Sequence, residues 1–240
     1  MYKPLVTCII PTHNRVELLP RALDSVINQT YFNLEIIVVN DGSTDNTNEV
    51  IKKYKTKDKR IDSIYNKNSL GPSGARNKAI EKANGEYISF LDDDDEWLPE
   101  KIERQLNYIS NYSVVCALPL IKKEGGEVLK MQKKEYQLGE LDIEDVFYDF
   151  STIYPSGSLL KTEEVREVGG FDVNLTRGEY WDLILKILKN YNNAFVLKEH
   201  LVLFDRKHNL GRVSEKTDKI KDVFITYNRH KEVVSYPVQR

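Results

Sequence analysis

The 240-residue sequence predicts an α/β protein built on a mostly parallel sheet flanked by helices. Three observations carry that expectation. Short apolar runs recur at residues 5–10, 35–40 and 86–91 without the polar alternation of a half-exposed strand. Strands covered on both faces read this way. Stretches of helical periodicity lie between the runs, giving the strand–helix–strand unit that makes parallel pairs through right-handed crossovers. Polar or glycine-bearing loops follow the strands, at residues 11–15, 41–45, 68–77 and 92–95, on the side where open α/β sheets bind ligands.

The first strand, residues 5–10, is stopped by Pro11. A helix follows, because Leu19, Ala22, Leu23, Val26 and Ile27 recur at helical spacing. Pro20 is tolerated there only in the first turn. Residues 35–40 form the second strand, and the turn at 41–45 offers N-cap residues to a helix through Val50 and Tyr54. Residues 61–65 are the third strand. Gly71, Pro72 and Gly74 break the chain, so the next helix is expected over 75–83. The strand at 86–91 then delivers the chain to four aspartates. This half is Rossmann-like in plan. It has no G-x-G-x-x-G after its first strand and no Walker A sequence, which argues against a nicotinamide dehydrogenase and a P-loop hydrolase.

The second half is less regular. A helix is expected at 99–112, a strand at 113–120, a charged hairpin or excursion at 122–136 and a helix at 143–150. A strand at 158–160 follows Pro155-Ser156-Gly157, and Gly169-Gly170 marks a tight turn. Residues 179–191 form an amphipathic helix with Leu183, Ile184, Ile187 and Leu188 on its apolar face. A strand at 194–204 and a charged helix at 216–227 close the pattern.

Composition narrows the classes. With 40% hydrophobic residues the chain can bury a sizeable core, and a net charge of −2 gives no bulk attraction to nucleic acid. No apolar run approaches the roughly 20 residues that span a bilayer. Cys8 and Cys116 both sit in apolar strands, where a reduced thiol is the expected state and the cytosol the expected compartment.

The run Asp92-Asp93-Asp94-Asp95 carries the chemistry. Like charges this close repel unless a cation or strong donors hold them. Two readings stand on the run alone: a Mn²⁺ or Mg²⁺ site with hard oxygen ligands, or a solvated acidic turn capping the next helix. The neighbouring loops weigh toward the first. Asp41 can accept from a pyrimidine N3–H, and the guanidinium fork of Arg76 suits phosphate oxyanions. Asp92 and Asp94 form D-x-D, whose repulsion a cation shared with a diphosphate would relieve. These residue types describe a nucleotide-diphosphate site.

With those residues in place, the chain resembles the family 2 inverting glycosyltransferases of GT-A fold. The resemblance rests on IIPTHNR at 9–15, VNDGSTD at 39–45, NSLGPSGARN at 68–77, GEYISFLDDDD at 85–95 and GGFD at 169–172. Each motif alone is common; together, in family order, they are specific. The resemblance implies transfer from a UDP-sugar donor to a hydroxyl of a glycan or lipid-linked acceptor in cell-surface polysaccharide synthesis, with Mn²⁺ or Mg²⁺ as cofactor. Pro11, Thr12 and Arg15 would line the nucleobase pocket and Asp41 would read the uracil edge. Asn68, Gly71 and Arg76 would border the nucleotide-sugar, with Asp92 near the ribose and Asp93 beside it. Asp94 would bind the metal, joined by His208 in the loop after the last strand, with Arg206 facing the diphosphate. Of Asp93 and Asp95, one is expected to cap the helix at Pro99. Trp97 and Trp181 are candidates for stacking on sugar rings, Trp181 more plainly for the core.

One departure stands out. The family opens the helix after Gly-Gly-Phe-Asp with a Glu-Asp pair whose Asp is the base, and here the pair is Glu179-Tyr180. Tyrosine, with an ordinary pKa of about 10, is a poor base near neutrality. Glu179 as base, Asp182 one turn on as base, and a degenerate chain that binds donor without transfer all stand open. A sugar nucleotidyltransferase is the other enzyme class with such a sheet, but it carries a glycine-rich basic loop where this chain has residues 11–15. The expected organisation is one domain over 1–212, with a nucleotide-binding half at 1–112, an acceptor-binding half at 113–212 and a helical tail at 213–240. Residues 205–240 hold nine Lys/Arg against five Asp/Glu. A solvated helix explains that surplus, and peripheral contact with the inner membrane face is the other reading.

Overall fold

The computed structural model describes residues 2–122, 127–130, 138–205 and 219–233. Val6–Thr12 (β1), Leu34–Asp41 (β2), Ile61–Asn66 (β3) and Tyr87–Phe90 (β4) form the parallel part of the sheet. β1 pairs with β2 and β4, and β2 with β3. Leu19–Ile27 (α1), Thr47–Lys57 (α2) and Gly71–Lys82 (α3) make the crossovers. The spacing of Leu19, Ala22, Leu23 and Val26 buries one face of α1, and Pro20 does sit in its first turn.

Two boundaries differ from the sequence reading. β1 runs on through Pro11 rather than stopping there. The carbonyl of Ile9 accepts from Leu91 N at 2.9 Å, so odd-numbered residues of β1 turn their peptide groups toward β4. Pro11 faces the same way, beyond the last pair Ile9–Phe90, and its missing N–H breaks no ladder bond. α3 begins at Gly71 rather than near 75. Proline is at home in a first helical turn, so Pro72 starts this helix instead of preventing it.

Beyond β4 the sheet is mixed. Asp95–Trp97 (β5), Val114–Lys122 (β6), Val128–Lys130 (β7), Gly139–Leu141 (β8), Ser158–Lys161 (β9) and Ala194–Asp205 (β10) complete it. The order along the sheet is β3-β2-β1-β4-β9-β6-β10-β5, with β7 on β6 and β8 on β10. β9 runs antiparallel to both β4 and β6, while β10 runs parallel to β6. Lys101–Leu106 (α4), Ile143–Tyr148 (α5), Thr162–Glu167 (α6), Glu179–Asn190 (α7) and Lys219–His230 (α8) flank it. β5, β8 and α6 were not foreseen; three to six residues are too few for periodicity to register.

The core has two layers. Ile9, Ile37 and Val39 pack with Ala75 and Ala79 of α3 and Leu183, Ile184 and Ile187 of α7. Their sequence neighbours Cys8, Ile10, Ile36 and Val38 pack on the opposite face with Leu19, Leu23 and Val26 of α1 and Ile51 of α2. Alternate residues therefore feed two apolar layers, which is why the strands read as unbroken hydrophobic runs. Cys8 and Cys116 are buried free thiols, and burial pushes the Cys8 thiol up to about 12.

Trp97 and Trp181 are both core residues. Trp97 Nε1 donates to the Ser156 carbonyl at 2.8 Å and Trp181 Nε1 to that of Val146 at 3.2 Å. Neither offers a face to a sugar, which corrects the stacking role considered for Trp97. Over the Trp97 ring, 4.1 Å from its centroid, lies Nζ of the fully buried Lys101. No helix among the described residues is long and apolar enough to cross a membrane.

Candidate active site

The loops after β1, β2 and β4 and the start of α3 meet at the carboxyl ends of the parallel strands. Asn14, at φ +54, adopts the left-handed conformation that Asn tolerates. Its Oδ1 accepts from Thr44 N at 2.7 Å and its backbone N–H donates to Ser43 Oγ at 2.9 Å, lacing the first two loops together. His13 belongs to this lacing, its Nδ1 2.7 Å from the Asp41 carbonyl. Thr12 is buried, Pro11 half-buried and Asn68 exposed. Arg15 Nε lies 3.7 Å from Asp93 Oδ1.

Asp41 has a task that the sequence did not suggest. Its buried carboxylate accepts from Asn66 Nδ2 and Ser69 Oγ at 2.7 Å each, and from Leu70 N and Gly71 N at 2.9 Å each. It thereby closes the start of α3, and reading a base edge with it would require one of these donors to let go. The loop approaches so closely that a Cβ on Gly42, at φ +73, would stand 2.7 Å from Ser69 N.

Asp92, Asp94 and Asp95 each bring a carboxylate oxygen within 4.8 Å of the others. The sequence pattern paired Asp92 with Asp94, and the fold adds Asp95. Three hard oxygen donors at that spacing fit a Mn²⁺ or Mg²⁺ ion. Ser156, from the Pro155-Ser156-Gly157 turn, spans the run: its Oγ donates to Asp95 Oδ2 at 2.6 Å and accepts from Asp92 N at 3.2 Å. The turn is itself held from beneath. Its carbonyls at 156 and 157 accept from Trp97 Nε1 at 2.8 Å and Gln105 Nε2 at 2.7 Å, and that of Ser158, which opens β9, accepts from Ser89 Oγ at 2.6 Å. Asp93 points toward Arg15. Burial raises its carboxyl to about 7, with the Thr12 hydroxyl opposing and the Asp94 charge adding to the rise. Neither Asp93 nor Asp95 caps the following helix: α4 has no side-chain cap, and Asp95 opens β5 instead. His208 and Arg206 lie outside the described residues.

Arg76, on α3, is 4% exposed. Its Nη2 donates to Asp92 Oδ1 at 2.5 Å, and its guanidinium lies 5.3 Å from the centre of the Phe171 ring. Its Nε and Nη1 are buried without a partner among the described residues. Phe171 is fixed by Asn77, whose Oδ1 accepts from Phe171 N at 2.9 Å and whose Nδ2 donates to Phe171 O at 2.8 Å. The fit leaves no room at Gly170, where a Cβ would stand 2.6 Å from Asn77 Oδ1. Sequence reasoning singled out neither Ser156 nor Asn77. Asn77 ends the stretch NSLGPSGARN, and its place one residue after Arg76 was the available signal.

Glu179 opens α7 after Gly178, at φ +70. Burial holds its carboxyl above the ordinary range, with the Arg76 charge opposing and the Asp92 charge adding to the rise. Tyr180 belongs to the core. It is 6% exposed, stacks on Phe171 at 6.1 Å and meets Phe90 edge-on at 6.4 Å. Burial lifts its phenol well above its ordinary pKa. Asp182 is removed as a base. It has no exposure, and Lys186 Nζ at 2.7 Å, Arg229 Nη1 at 2.7 Å and His230 Nε2 at 2.9 Å surround its carboxylate. Burial alone would raise it, but these partners outweigh that and hold it at about 2. A carboxylate so engaged can neither reach an acceptor hydroxyl nor take its proton.

Residues 7–169, more than half of the chain, match the family described as Glycosyl transferase family 2. The chain belongs to that family. An uncharacterized glycosyltransferase of Methanocaldococcus jannaschii, MJ1057, is 31% identical over 224 residues, 90% of this chain and 76% of that one. The GalNAc(5)-diNAcBac-PP-undecaprenol beta-1,3-glucosyltransferase of Campylobacter jejuni is 40% identical over 124 residues, 51% of this chain and 40% of that one. Among solved structures, S. aureus TarS 1–349 in complex with UDP-GlcNAc superposes with a TM-score of 0.79 at 20% identity, over 98% of this chain and 68% of that one. The mannosyltransferase PcManGT of Pyrobaculum calidifontis, in complex with GDP-Man and Mn²⁺, gives 0.75 at 18% identity, over 98% of this chain and 66% of that one. At such identities these likenesses show the shared fold. This family 2 chain is a glycosyltransferase of GT-A architecture.

Proposed function

We propose that this glycosyltransferase inverts configuration, takes its sugar from a UDP-sugar and needs a divalent cation, with Glu179 as the base. The observation that carries the reading is the placement of Arg76. A buried guanidinium, two of whose nitrogens have no partner among the described residues, donates to the carboxylate of Asp92 and lies near enough to Glu179 for its charge to act on that carboxyl. Such a group favours a ligand that brings oxyanions to it. A nucleotide diphosphate brings them, and the reacting sugar then lies toward Glu179. The acceptor is a hydroxyl of a glycan or a lipid-linked oligosaccharide. Preference for UDP rests on the family resemblance and on the nucleotide bound by TarS.

Glu179 removes the proton from the attacking hydroxyl as its oxygen bonds to the anomeric carbon. The bond from that carbon to the diphosphate oxygen breaks in the same displacement, so the sugar inverts and the nucleotide leaves with the electron pair. Arg76 offers donors to the departing oxyanion, and the enclosed floor of Phe90, Phe171 and Tyr180 keeps water from beneath it. Asp92, Asp94 and Asp95 would hold the cation, with His208 as a further proposed ligand. When bound, the cation supplies Lewis-acid stabilisation of the leaving diphosphate. Pro11, Thr12 and Arg15 would flank the base, and Asn68 and Gly71 the ribose and phosphates.

A thermal-shift panel of UDP, GDP, CDP, dTDP and NAD, each with and without Mn²⁺, tests the donor site. Ligand at about 100 times its dissociation constant adds about 2.7 kcal/mol of stability. A shift with UDP that needs Mn²⁺ and disappears in Asp94→Ala is expected. Equal UDP binding without the cation would end the metal assignment, and no shift with any nucleotide would end the donor assignment.

A further inference from the structure

Helix α8 lies beyond the span that matches the family, yet it is fastened to the reacting end of α7 by buried charge. Arg229 donates through Nη1 to Asp182 Oδ1 at 2.7 Å and through Nη2 to Asp172 Oδ2 at 2.9 Å. One planar guanidinium thus ties the first turn of α7 to the Gly-Gly-Phe-Asp turn. His230 Nε2, 2.9 Å from the same Asp182 oxygen, adds a second tie from α8, and Lys186 Nζ, 2.7 Å from Oδ2, completes the shell from within α7. Thr226 of α8 is fully buried, and a Cβ on Gly178 would stand 3.6 Å from its Oγ1. Tyr227 packs its ring 5.3 Å from Phe147, which in turn lies 5.7 Å from Trp181. So α8 lies alongside the residue before Glu179 and grips the residue three positions after it.

The two arms joined by Arg229 lead to Phe171 and to Glu179. Asp172 follows Phe171, the ring beneath Arg76. Asp182 lies one helical turn from Glu179. Gly178 separates the arms with a left-handed backbone, and a glycine there leaves the start of α7 free to pivot unless something else fixes it.

We infer that Arg229 is a positioning residue for catalysis: it splints the Asp172 turn to α7 and so sets where Glu179 stands relative to Arg76. The inference rests on Glu179 being the base, as proposed above. It gives the C-terminal helix a part in the reaction without contact to either substrate.

The test uses the full chain with Arg229→Gln, Asp172→Asn and the double variant. Asp172→Asn is the gentler break, because asparagine keeps an oxygen for Asn174 N, which Asp172 Oδ1 now accepts at 2.9 Å. It serves if Arg229→Gln does not fold. Misplacement by about 1 Å is able to cost about 10²-fold in rate. Each single variant should lower kcat about 10–100-fold with the donor KM and the UDP dissociation constant unchanged. The double variant should be no worse than Arg229→Gln alone, in which the link to Asp172 is already gone. Amide exchange at residues 178–183 should quicken in Asp172→Asn. Unchanged exchange, or quickened exchange with wild-type kcat, would overturn the splint. Full activity in Glu179→Gln would instead remove the base assignment, which separates the two claims.

Discussion

Arg76 reaches Asp92 through one nitrogen, Nη2 to Oδ1 at 2.5 Å, and keeps Nε and Nη1 buried beside it without a partner among the described residues. A buried donor left unsatisfied is costly, so the arrangement stabilises whatever brings acceptors to it. Lysine would keep the charge and lose the fork. Arg76→Lys should therefore fold, with Phe171 still clamped by Asn77, but bind donor more weakly. Hydrogen bonds to charged groups contribute about 1.5–3 kcal/mol, which corresponds to a rise in donor KM of about 10–100-fold. Steady-state kinetics with varied nucleotide-sugar checks this, and an unchanged KM would place the phosphates elsewhere.

Glu179 should set the acid limb of the rate profile. A base acts when deprotonated, so kcat falls as pH drops through its pKa. Burial holds that carboxyl above the ordinary glutamate range, with the Arg76 charge opposing. The limb is accordingly expected above about 4.3, the ordinary glutamate value. Glu179→Gln should keep UDP affinity and lose about 10²–10⁴-fold in kcat. Profiles of kcat against pH for both proteins decide it. An acid limb that survives in the glutamine variant would belong to another group.

Much of this was legible before the fold was known, for physical reasons that also explain what was not. Strands β1, β2 and β4 are covered on both faces, so their apolar runs announced them. The four aspartates stood out because repulsion of that density needs a cause. The fate of each carboxylate was not legible. Asp41 and Asp182 look like Glu179 in sequence, yet one closes α3 and another anchors α8, because donors 25 to 48 residues away reach them in space. Ser156 and Asn77 matter through what they touch across the sheet, and a short polar residue in a turn gives no periodic signal. Pro72 misled because proline breaks a helix in its interior and begins one at its first turn.

Ser156 should tune the cation without touching the sugar. Its hydroxyl joins Asp92 N to Asp95 Oδ2 and so fixes both ends of the acidic run. Ser156→Ala removes both bonds at once while the turn stays pinned through its carbonyls. Losing a hydrogen bond to a carboxylate costs about 1.5–3 kcal/mol, enough to weaken Mn²⁺-dependent UDP binding about tenfold or more. Calorimetric titration of Mn²⁺ at fixed UDP measures this. An unaltered Mn²⁺ affinity would show that the run holds its shape without the serine.

Lys101 should make stability rise with pH. Its ammonium is fully buried, bonded among the described residues to the neutral Ser89 Oγ at 3.0 Å and Gln105 Oε1 at 2.8 Å, and burial pushes its pKa down to about 7. The unfolded chain holds that proton up to about 10.4. Between those values the unfolded state binds more protons than the native one, so raising the pH favours the native state. The full penalty applies below about 7 and fades above it. Lys101→Met fills much of the same space without a charge and removes the effect. From pH 6 to 8.5 the melting temperature of the wild type should climb relative to Lys101→Met. Cys8 and Cys116 titrate in both proteins, so the difference isolates the lysine. A difference that stays flat across that range would mean that Lys101 keeps its proton in the core, with its bonds to Ser89 and Gln105 and the face of Trp97 sufficient to hold the charge.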